Sequence, residues 1–150
     1  MKKLFLTAAF SLISLLAFAD NDRVIAFNQL PANVQTFIQT HFNGVQPDYI
    51  SKDWDSYEVF ISNGIKMEFS RRGNWQEIKS HRTALPESIT KLLPQQLLSY
   101  IKTNYANTVI TEMNKERYGY EIKLSNGLEL MFNKNGAFLG IEDYDDRWDD

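Results

Sequence analysis

The sequence contains no cysteine, only two histidines and no cluster of basic residues. The absence of cysteine excludes disulfide bonds, thiolate metal sites, a cysteine nucleophile and the lipid anchor of a lipoprotein. The formal net charge is −3, and an acidic chain without a basic patch is a poor ligand for nucleic acid. The folded state must therefore depend on a hydrophobic core, and we expect no nucleic-acid partner.

Long apolar runs are also absent, except at the N-terminus. Lys2 and Lys3 precede an apolar run over residues 4–17, and Ala17-Phe18-Ala19 is typical of a signal-peptidase site. The run is short for a membrane span of about 20 residues, so a membrane anchor is the less favoured alternative. We predict a signal peptide at residues 1–19, cleavage after Ala19, no membrane span, and a periplasmic or secreted mature protein.

The rest of the chain repeats itself at an offset of 63 residues. Thirteen of the 49 positions from 30 to 78 are identical to the residue 63 positions later, without a gap. The clearest match joins "YEVFISNGIKMEF" (57–69) to "YEIKLSNGLELMF" (120–132). Such a constant register predicts a tandem repeat, with a first unit at residues 20–80 and a second at 81–150 within one compact mature chain.

Each unit begins with an amphipathic helix and continues with strands. The apolar residues of the helices follow helical spacing and are Val34, Phe37, Ile38 and Phe42 in the first unit and Leu97, Tyr100, Ile101 and Tyr105 in the second. Period-two alternation predicts paired strands at 57–61 and 65–69 and at 120–124 and 128–132, with one further strand on either side of each pair. The predicted fold class is α+β, with helices packed on a four-stranded antiparallel β-meander in each repeat.

The Ser-Asn-Gly segment between the paired strands sets their register. A two-residue Asn-Gly loop would place the apolar residues of the two strands on opposite faces. A three-residue loop at 62–64 instead pairs Ile61 with Ile65, so that every apolar residue meets an apolar partner. We therefore predict a three-residue turn in each unit, with Gly64 and Gly127 in the left-handed region.

Motifs that carry catalysis are missing. The chain has no HExxH helix, no G-x-S-x-G turn and no glycine-rich phosphate loop. Asn104 replaces His41 in the second unit, which favours a structural role for that histidine. Glu58 and Glu121 form a repeated pair that can act as acid and base, but they recur because the whole unit recurs. We predict a protein that is not an enzyme and has no cofactor.

The combined features resemble a known family. The signal sequence, two copies of the helix pattern "LP…V..FI..HF", the strands that begin at Tyr57 and Tyr120, and two "SNG" turns are similar to PepSY-like, beta-lactamase-inhibitor-like proteins of Bacteroidetes. The resemblance implies two tandem repeats whose sheets lie side by side under the helices. It implies an exported binding protein without a settled ligand, and no inhibitor motif is present to carry over.

One face of the predicted sheet carries the candidate binding residues. Among the residues that alternate with the core positions, Phe60 and Met131 are apolar where a solvated face would be polar. Aromatic residues near strand ends extend this surface, which gives the candidate set Trp54, Phe60, Trp75, Tyr118 and Met131. The alternative is that helices or the neighbouring unit cover these side chains.

The C-terminus is the most acidic segment, with six acidic residues at positions 142–150. Oxygen-rich clusters bind calcium, which makes Asp143, Asp145 and Asp146 weak metal candidates. Their spacing does not match an EF-hand loop, so a solvated acidic edge that discourages strand pairing is favoured. The sequence thus predicts an exported, non-enzymatic protein that binds an unidentified protein or peptide, with a calcium- or small-ligand-binding protein as the alternative.

Overall fold

A computed structural model describes residues 23–81 and 83–142. The predicted signal peptide, its cleavage site after Ala19, and the candidates Asp143, Asp145 and Asp146 lie outside these residues. The elements are β1 (Arg23–Val24), a 3-10 helix (Phe27–Gln29), α1 (Ala32–His41), β2 (Pro47–Lys52), β3 (Ser56–Ile61), β4 (Ile65–Ser70), β5 (Trp75–Ser80), α2 (Glu87–Thr90), α3 (Gln95–Asn104), β6 (Ile110–Lys115), β7 (Gly119–Leu124), β8 (Glu129–Asn133) and β9 (Phe138–Ile141). Within this part of the chain, no helix is long and apolar enough to cross a membrane.

The two longer helices begin directly after prolines. Pro31 and Pro94 keep extended backbone angles, with ψ of 143° and 140°, and α1 and α3 start at the next residue. Proline suits this position because the first N–H groups of a helix have no partner within the helix. The buried residues along the two helices belong to the predicted stripes and are Val34 and Ile38 in α1 and Leu97 and Ile101 in α3.

The nine strands of the described residues form one antiparallel sheet, in sequence order from β1 to β9. The predicted α+β class is confirmed. The two halves share this single sheet, rather than two sheets side by side, because β5 pairs with β6 and places Ile78 opposite Met113. Both side chains are fully buried, at 0% exposure. The junction therefore continues the hydrophobic core from one half of the chain to the other.

The predicted three-residue turns are confirmed. The cross-strand pairs are Ile61–Ile65, Val59–Met67 and Tyr57–Phe69 in the first half and Ile122–Leu130 and Tyr120–Phe132 in the second. Gly64 and Gly127 have φ of 84° and 89°, in the region that favours glycine. The loop length therefore puts the apolar side chains of neighbouring strands on the same face.

The helices pack on that apolar face. Phe37 of α1 meets Phe69 of β4 edge to face at 5.3 Å between ring centroids. Tyr100 of α3 meets Phe132 of β8 in the same geometry at 5.6 Å. The short helix α2 adds the fully buried Ile89 to this core. The opposite side, which we call the outer face, is where the sheet presents its polar side chains.

Candidate functional site

The outer face carries two rows of side chains that run across the strands. Strand pairing aligns one residue per strand in each row. The first row is Tyr49, Phe60, Lys66, Lys79, Glu112, Lys123 and Glu129. The second row is Ser51, Glu58, Glu68, Glu77, Asn114, Glu121 and Met131. Because neighbouring strands lie about 4.8 Å apart, charged side chains on adjacent strands of these rows are close enough to form ion pairs.

In the first half of the outer face, Lys66 and Lys79 form ion pairs with Glu58 and Glu77. Lys66 Nζ lies 2.7 Å from Glu58 Oε1 and 3.9 Å from Glu77 Oε2, and Lys79 Nζ lies 3.2 Å from Glu77 Oε1. Desolvation alone would lower the pKa of Lys66, but its hydrogen bond to Glu58 and the surrounding glutamates together raise it. Desolvation, followed by the charge of Glu77, raises the pKa of Glu68. This half therefore contains an ion-pair network in which Glu58 and Glu77 each contact a lysine.

The second half of the outer face gathers three carboxylates. Oxygen atoms of Glu121, Glu129 and Glu142 all lie within 4.8 Å of one another, and we call these residues the acidic triad. Glu129 is buried, Glu121 is half-buried and Glu142 is exposed. Lys123 Nζ lies 3.0 Å from Glu129 Oε1. The hydroxyl of Tyr118 donates to Glu121 Oε2 at 3.4 Å. The group therefore holds three acids against one lysine in direct contact.

Three adjacent strands position the triad. Glu121 lies on β7 and Glu129 lies on β8. Glu142 directly follows β9, and its backbone N–H donates to the carbonyl oxygen of Glu129 at 2.9 Å. The pairing of β8 with β9 contains a register shift between Met131 and Phe132. The sheet hydrogen bonds at the far edge thus hold the third carboxylate beside the other two.

Burial and like charge both act on the triad. Burial raises the pKa of Glu121 above its ordinary value of 4.5, and the charges of Glu142 and Glu129 raise it further. Burial and the charge of Glu121 are the leading causes that raise the pKa of Tyr118 to about 12, so its hydroxyl keeps its proton and donates to Glu121. Carboxylate oxygens are also the preferred ligands of Ca²⁺. The triad can therefore relieve its repulsion by taking up a proton or a divalent cation.

The metal-free protein should lose stability as the pH rises through the folded-state pKa of Glu121. A carboxyl group whose pKa is higher in the folded than in the unfolded state stabilises the fold fully below its unfolded value, near 4.5. That contribution disappears as the folded carboxyl ionises. Thermal unfolding from about pH 4 to 7 should show a weaker pH dependence for Glu121→Gln than for the wild type. Superimposable profiles would contradict this account.

The equivalent positions in the first half carry an ion-pair network instead. The residues 63 positions before the acidic triad are Glu58, Lys66 and Lys79. At two of the three triad positions, the first half has lysine and the second half has glutamate. Ion pairs in the first half are therefore replaced by like charges in the second. The sequence analysis did not predict the acidic triad as a site. The signal in the sequence that points to it is this difference between the aligned repeats.

The opposite end of the outer face is apolar. Tyr49 and Phe60 contact each other with ring centroids 5.7 Å apart. Val24 lies opposite Ser51, on the same face. Val24 is 63% exposed and Tyr49 is 42% exposed. We call Val24, Tyr49 and Phe60 the apolar patch. The outer face is therefore asymmetric, with apolar side chains near β1 and carboxylates near β9.

The structure does not bring the five residues predicted from sequence together. Phe60 lies in the apolar patch, whereas Met131 lies five strands away, about 24 Å at 4.8 Å per strand. Tyr118 lies against the acidic triad. Trp54 is 73% exposed in the turn between β2 and β3, next to Arg23. Only Phe60 and Met131 belong to the two rows of the outer face.

Trp75 lies on the helix-facing side of the sheet and does not extend the outer face. A register shift between Glu68 and Phe69 places Trp75 opposite Phe69, which points into the core. Trp75 is 8% exposed. It stacks on Tyr120 with ring centroids 6.3 Å apart, and Lys115 Nζ lies 4.0 Å from the centroid of the indole ring. The indole is therefore a core side chain.

Comparison with known proteins places this chain in a family. Residues 19–63 and 55–140 match the family described as "Putative beta-lactamase-inhibitor-like, PepSY-like". The chain belongs to this PepSY-like family. The resemblance predicted from the sequence is thus confirmed. None of the curated proteins compared with the chain matches it.

Solved structures of other proteins resemble the PepSY-like chain over most of its length. A Bacteroides vulgatus protein described as a "putative periplasmic protein of unknown function" is 34% identical, with a TM-score of 0.74 over 81% of this chain and 99% of its own. A second B. vulgatus protein, also described as periplasmic, is 36% identical, with a TM-score of 0.74 over 83% and 99%. A third, from Bacteroides thetaiotaomicron, is described as a "putative calcium-regulated periplasmic protein" and is 32% identical, with a TM-score of 0.75 over 83% and 99%.

Proposed function

We propose that this PepSY-like chain is an exported, non-enzymatic binding protein that takes up Ca²⁺ at the acidic triad. The observation that carries the proposal is the convergence of three carboxylates within 4.8 Å. Carboxylates bind Ca²⁺ through one or both oxygens, and water completes the coordination shell. A calcium ion would offset the repulsion that raises the pKa of Glu121. The function is thus reversible cation binding at one edge of the sheet.

The predicted export of the chain and one relative support this proposal. The signal sequence at residues 1–19 and the periplasmic descriptions of the similar structures favour export. Calcium sites of extracellular modules have Kd values of about 10⁻⁴–10⁻³ M, which matches a site made of a few carboxylates on an open face. The B. thetaiotaomicron relative is described as calcium-regulated, in agreement with such a site.

We also propose that the fold is a tandem duplication, with units at residues 20–80 and 81–150. The bounds of α1 and α3, of β2 and β6, and of β3 and β7 are each separated by 63 residues, which supports the proposal. Duplication lets one unit keep its ion pairs while the other accumulates carboxylates. The calcium site therefore belongs to the second unit alone.

A calcium titration followed by thermal unfolding tests the proposal. The wild type should gain about 1.4 kcal/mol when free calcium is about tenfold above Kd. Glu121→Gln should lose this gain, because it removes one triad ligand. Glu58→Gln is the matched control, since Glu58 occupies the equivalent position but is paired with Lys66 at 2.7 Å. Equal gains in the two variants, or no gain in the wild type, would rule out the triad as the site.

A protein or peptide is the second proposed ligand, and the apolar patch is the observation that favours it. Val24, Tyr49 and Phe60 lie on the face opposite to the helix-covered side, and the charged Lys66 and Glu58 border them. Apolar side chains rimmed by charge are typical of protein interaction surfaces. We propose that a polypeptide packs an apolar side chain against the exposed edges of Tyr49 and Phe60.

Replacing Phe60 with aspartate should reduce the capture of such partners by about tenfold, because a buried charge in the patch is costly. The measurement is retention of periplasmic proteins on immobilised wild type, Phe60→Asp and Trp54→Ala. Trp54→Ala is the control, since Trp54 is 73% exposed but lies outside the patch. The same proteins bound in the same amounts by Phe60→Asp, with an unchanged melting temperature, would contradict the proposal.

A further inference from the structure

Strand β9 lies at the edge of the sheet, whereas its counterpart in the first half, β5, has a strand on both sides. β9 begins 63 positions after β5, and both strands have a register shift at the equivalent place in their pairing with the preceding strand. β5 pairs on its other side with β6, but β9 ends the strand order of the described residues. The second half therefore presents an edge at the place where the first half adds a strand.

The apolar residue exposed at this edge is Ile141, which is equivalent to Ile78. Ile78 is fully buried opposite Met113 of β6, whereas Ile141 is 41% exposed. Ile141 lies opposite the buried Leu130, so its side chain belongs to the helix-facing side of the sheet. Leu139, earlier in β9, is also exposed. A strand with an apolar residue opposite Ile141 would bury apolar surface in the same way as β6 does beside β5.

The backbone of Ile141 is oriented to pair with such a strand. The N–H of Glu142 donates to the carbonyl oxygen of Glu129 on β8 at 2.9 Å. Successive residues of an antiparallel strand direct their backbone groups to opposite sides, so the N–H and C=O of Ile141 point away from β8. No strand of the described residues lies on that side. These groups are the donor and acceptor through which an extended peptide adds to a sheet edge.

The charge at this edge favours a basic strand. Where β5 pairs with β6, Lys79 lies opposite Glu112 on the outer face. The residue equivalent to Lys79 is Glu142, which lies beside the carboxylates of Glu121 and Glu129. Opposite charges across a strand pair stabilise the pair, and like charges destabilise it. A lysine or arginine opposite Glu142 would therefore restore, with the signs reversed, the complementary charges of the first half.

The same charges disfavour the chain itself as the occupant of the edge. Residues 143–150 contain five aspartates, and the β9 edge of a second copy would bring another Glu142. In both cases carboxylates would face carboxylates. The opposite edge of a second copy, β1, offers only two residues in the described part of the chain. The edge therefore selects against self-association while its backbone groups remain able to pair.

We propose that β9 accepts an extended segment of a partner protein as an antiparallel strand, with an apolar residue opposite Ile141 and a lysine or arginine opposite Glu142. The segment takes the position beside β9 that β6 takes beside β5. This surface is separate from the apolar patch, which lies near β1 at the other end of the sheet. The pairing does not require calcium.

Amide NMR titration of the metal-free whole chain with the peptide Thr-Val-Lys-Ile-Lys-Val-Thr, blocked at both ends, tests the proposal. The amides of Leu139, Gly140 and Ile141 should shift. Hydrogen exchange of the Ile141 amide should slow by about tenfold when free peptide is about tenfold above Kd, because only free protein then exchanges. Since no metal is present, this outcome is independent of the calcium proposal.

Two matched peptides separate backbone pairing from charge. A peptide with N-methylisoleucine at the centre keeps the side chain and both charges but has no central N–H, and it should bind about fivefold more weakly. A peptide with glutamate in place of both lysines should also bind about fivefold more weakly. Equal affinity for the lysine and glutamate peptides would overturn the assignment of a basic partner. Equal affinity for the N-methylated peptide would overturn strand pairing.

Variants of the protein provide a second test. Ile141→Pro removes an N–H that faces away from β8, which an edge strand tolerates, and it should weaken binding by about tenfold or more. Ile141→Val keeps the N–H and a β-branched side chain and should bind within about twofold of the wild type. Glu142→Lys, which does not alter this N–H, should shift the preference toward the glutamate peptide by about tenfold.

The positions of the amide shifts decide the remaining outcomes. If the lysine peptide shifts amides of β2 and β3 instead of β9, or shifts none, the edge proposal is overturned. If the Ile141 amide is protected without peptide, and its protection increases with protein concentration, the occupant is a second copy and the proposal of a basic partner is overturned. Slower exchange at Ile141 that requires the lysine peptide supports it.

Discussion

Replacing Gly136 with alanine should lower the free energy of unfolding by about 2–5 kcal/mol. Gly136 has φ of 88°, a conformation that costs an L-residue about 1–2 kcal/mol. A Cβ at this position would lie 2.8 Å from the backbone nitrogen of Leu97 and 2.9 Å from Cβ of Pro94. Relieving such overpacking costs a further 1–3 kcal/mol, roughly. Urea unfolding of the wild type and the variant measures the loss.

Gly127→Ala is the matched control for this change. Gly127 has a nearly identical φ of 89°, but nothing lies within 4 Å of a Cβ built there. The free energy of unfolding of the control should therefore fall only by the cost of the left-handed backbone conformation, about 1–2 kcal/mol. If the two variants lose equal amounts of unfolding free energy, the close approach of Gly136 to α3 does not contribute to the destabilisation. Because Glu142 follows the strand after this turn, Gly136→Ala should also weaken the calcium response.

The turns and the helix starts could be predicted from sequence because neighbouring residues determine them. Strand alternation and the length of the Ser-Asn-Gly loop together require Ile61 to pair with Ile65, as they do. The helix that follows Pro94 begins where proline places it, since proline has no N–H to leave unpaired. These features depend on a few consecutive residues, so tertiary contacts do not override them.

The continuous sheet and the positions of the aromatic residues depend on contacts that are distant in sequence. Two helices separate β5 from β6 along the chain, and their pairing follows from the burial of Ile78 against Met113. A register shift near Phe69 determines on which face of the sheet Trp75 lies. The triad likewise requires Glu142 to lie beside Glu129, which the shifted pairing of β8 with β9 determines. Period-two alternation within single strands contains none of this information.

Replacing Glu129 with lysine should abolish the calcium response and stabilise the metal-free protein. The wild type at about tenfold excess of calcium over Kd should melt roughly 3–6 °C higher than without calcium. Lysine at position 129 would face two carboxylates, Glu121 and Glu142, and one lysine, Lys123. The two attractive contacts replace the mutual repulsion of the triad, so the metal-free melting temperature should rise while the calcium-dependent rise disappears. Thermal unfolding with and without calcium measures both changes.

The reciprocal change in the first half distinguishes a calcium site from a general effect of charge. Lys66→Glu combined with Lys79→Glu places three carboxylates, including Glu58, at the positions equivalent to the acidic triad. This double variant should be less stable without metal, because it removes the contact of 2.7 Å between Lys66 and Glu58, and calcium should restore part of the loss. If calcium stabilises the wild type and Glu129→Lys equally, its effect comes from screening of the acidic chain, and the triad is not a binding site.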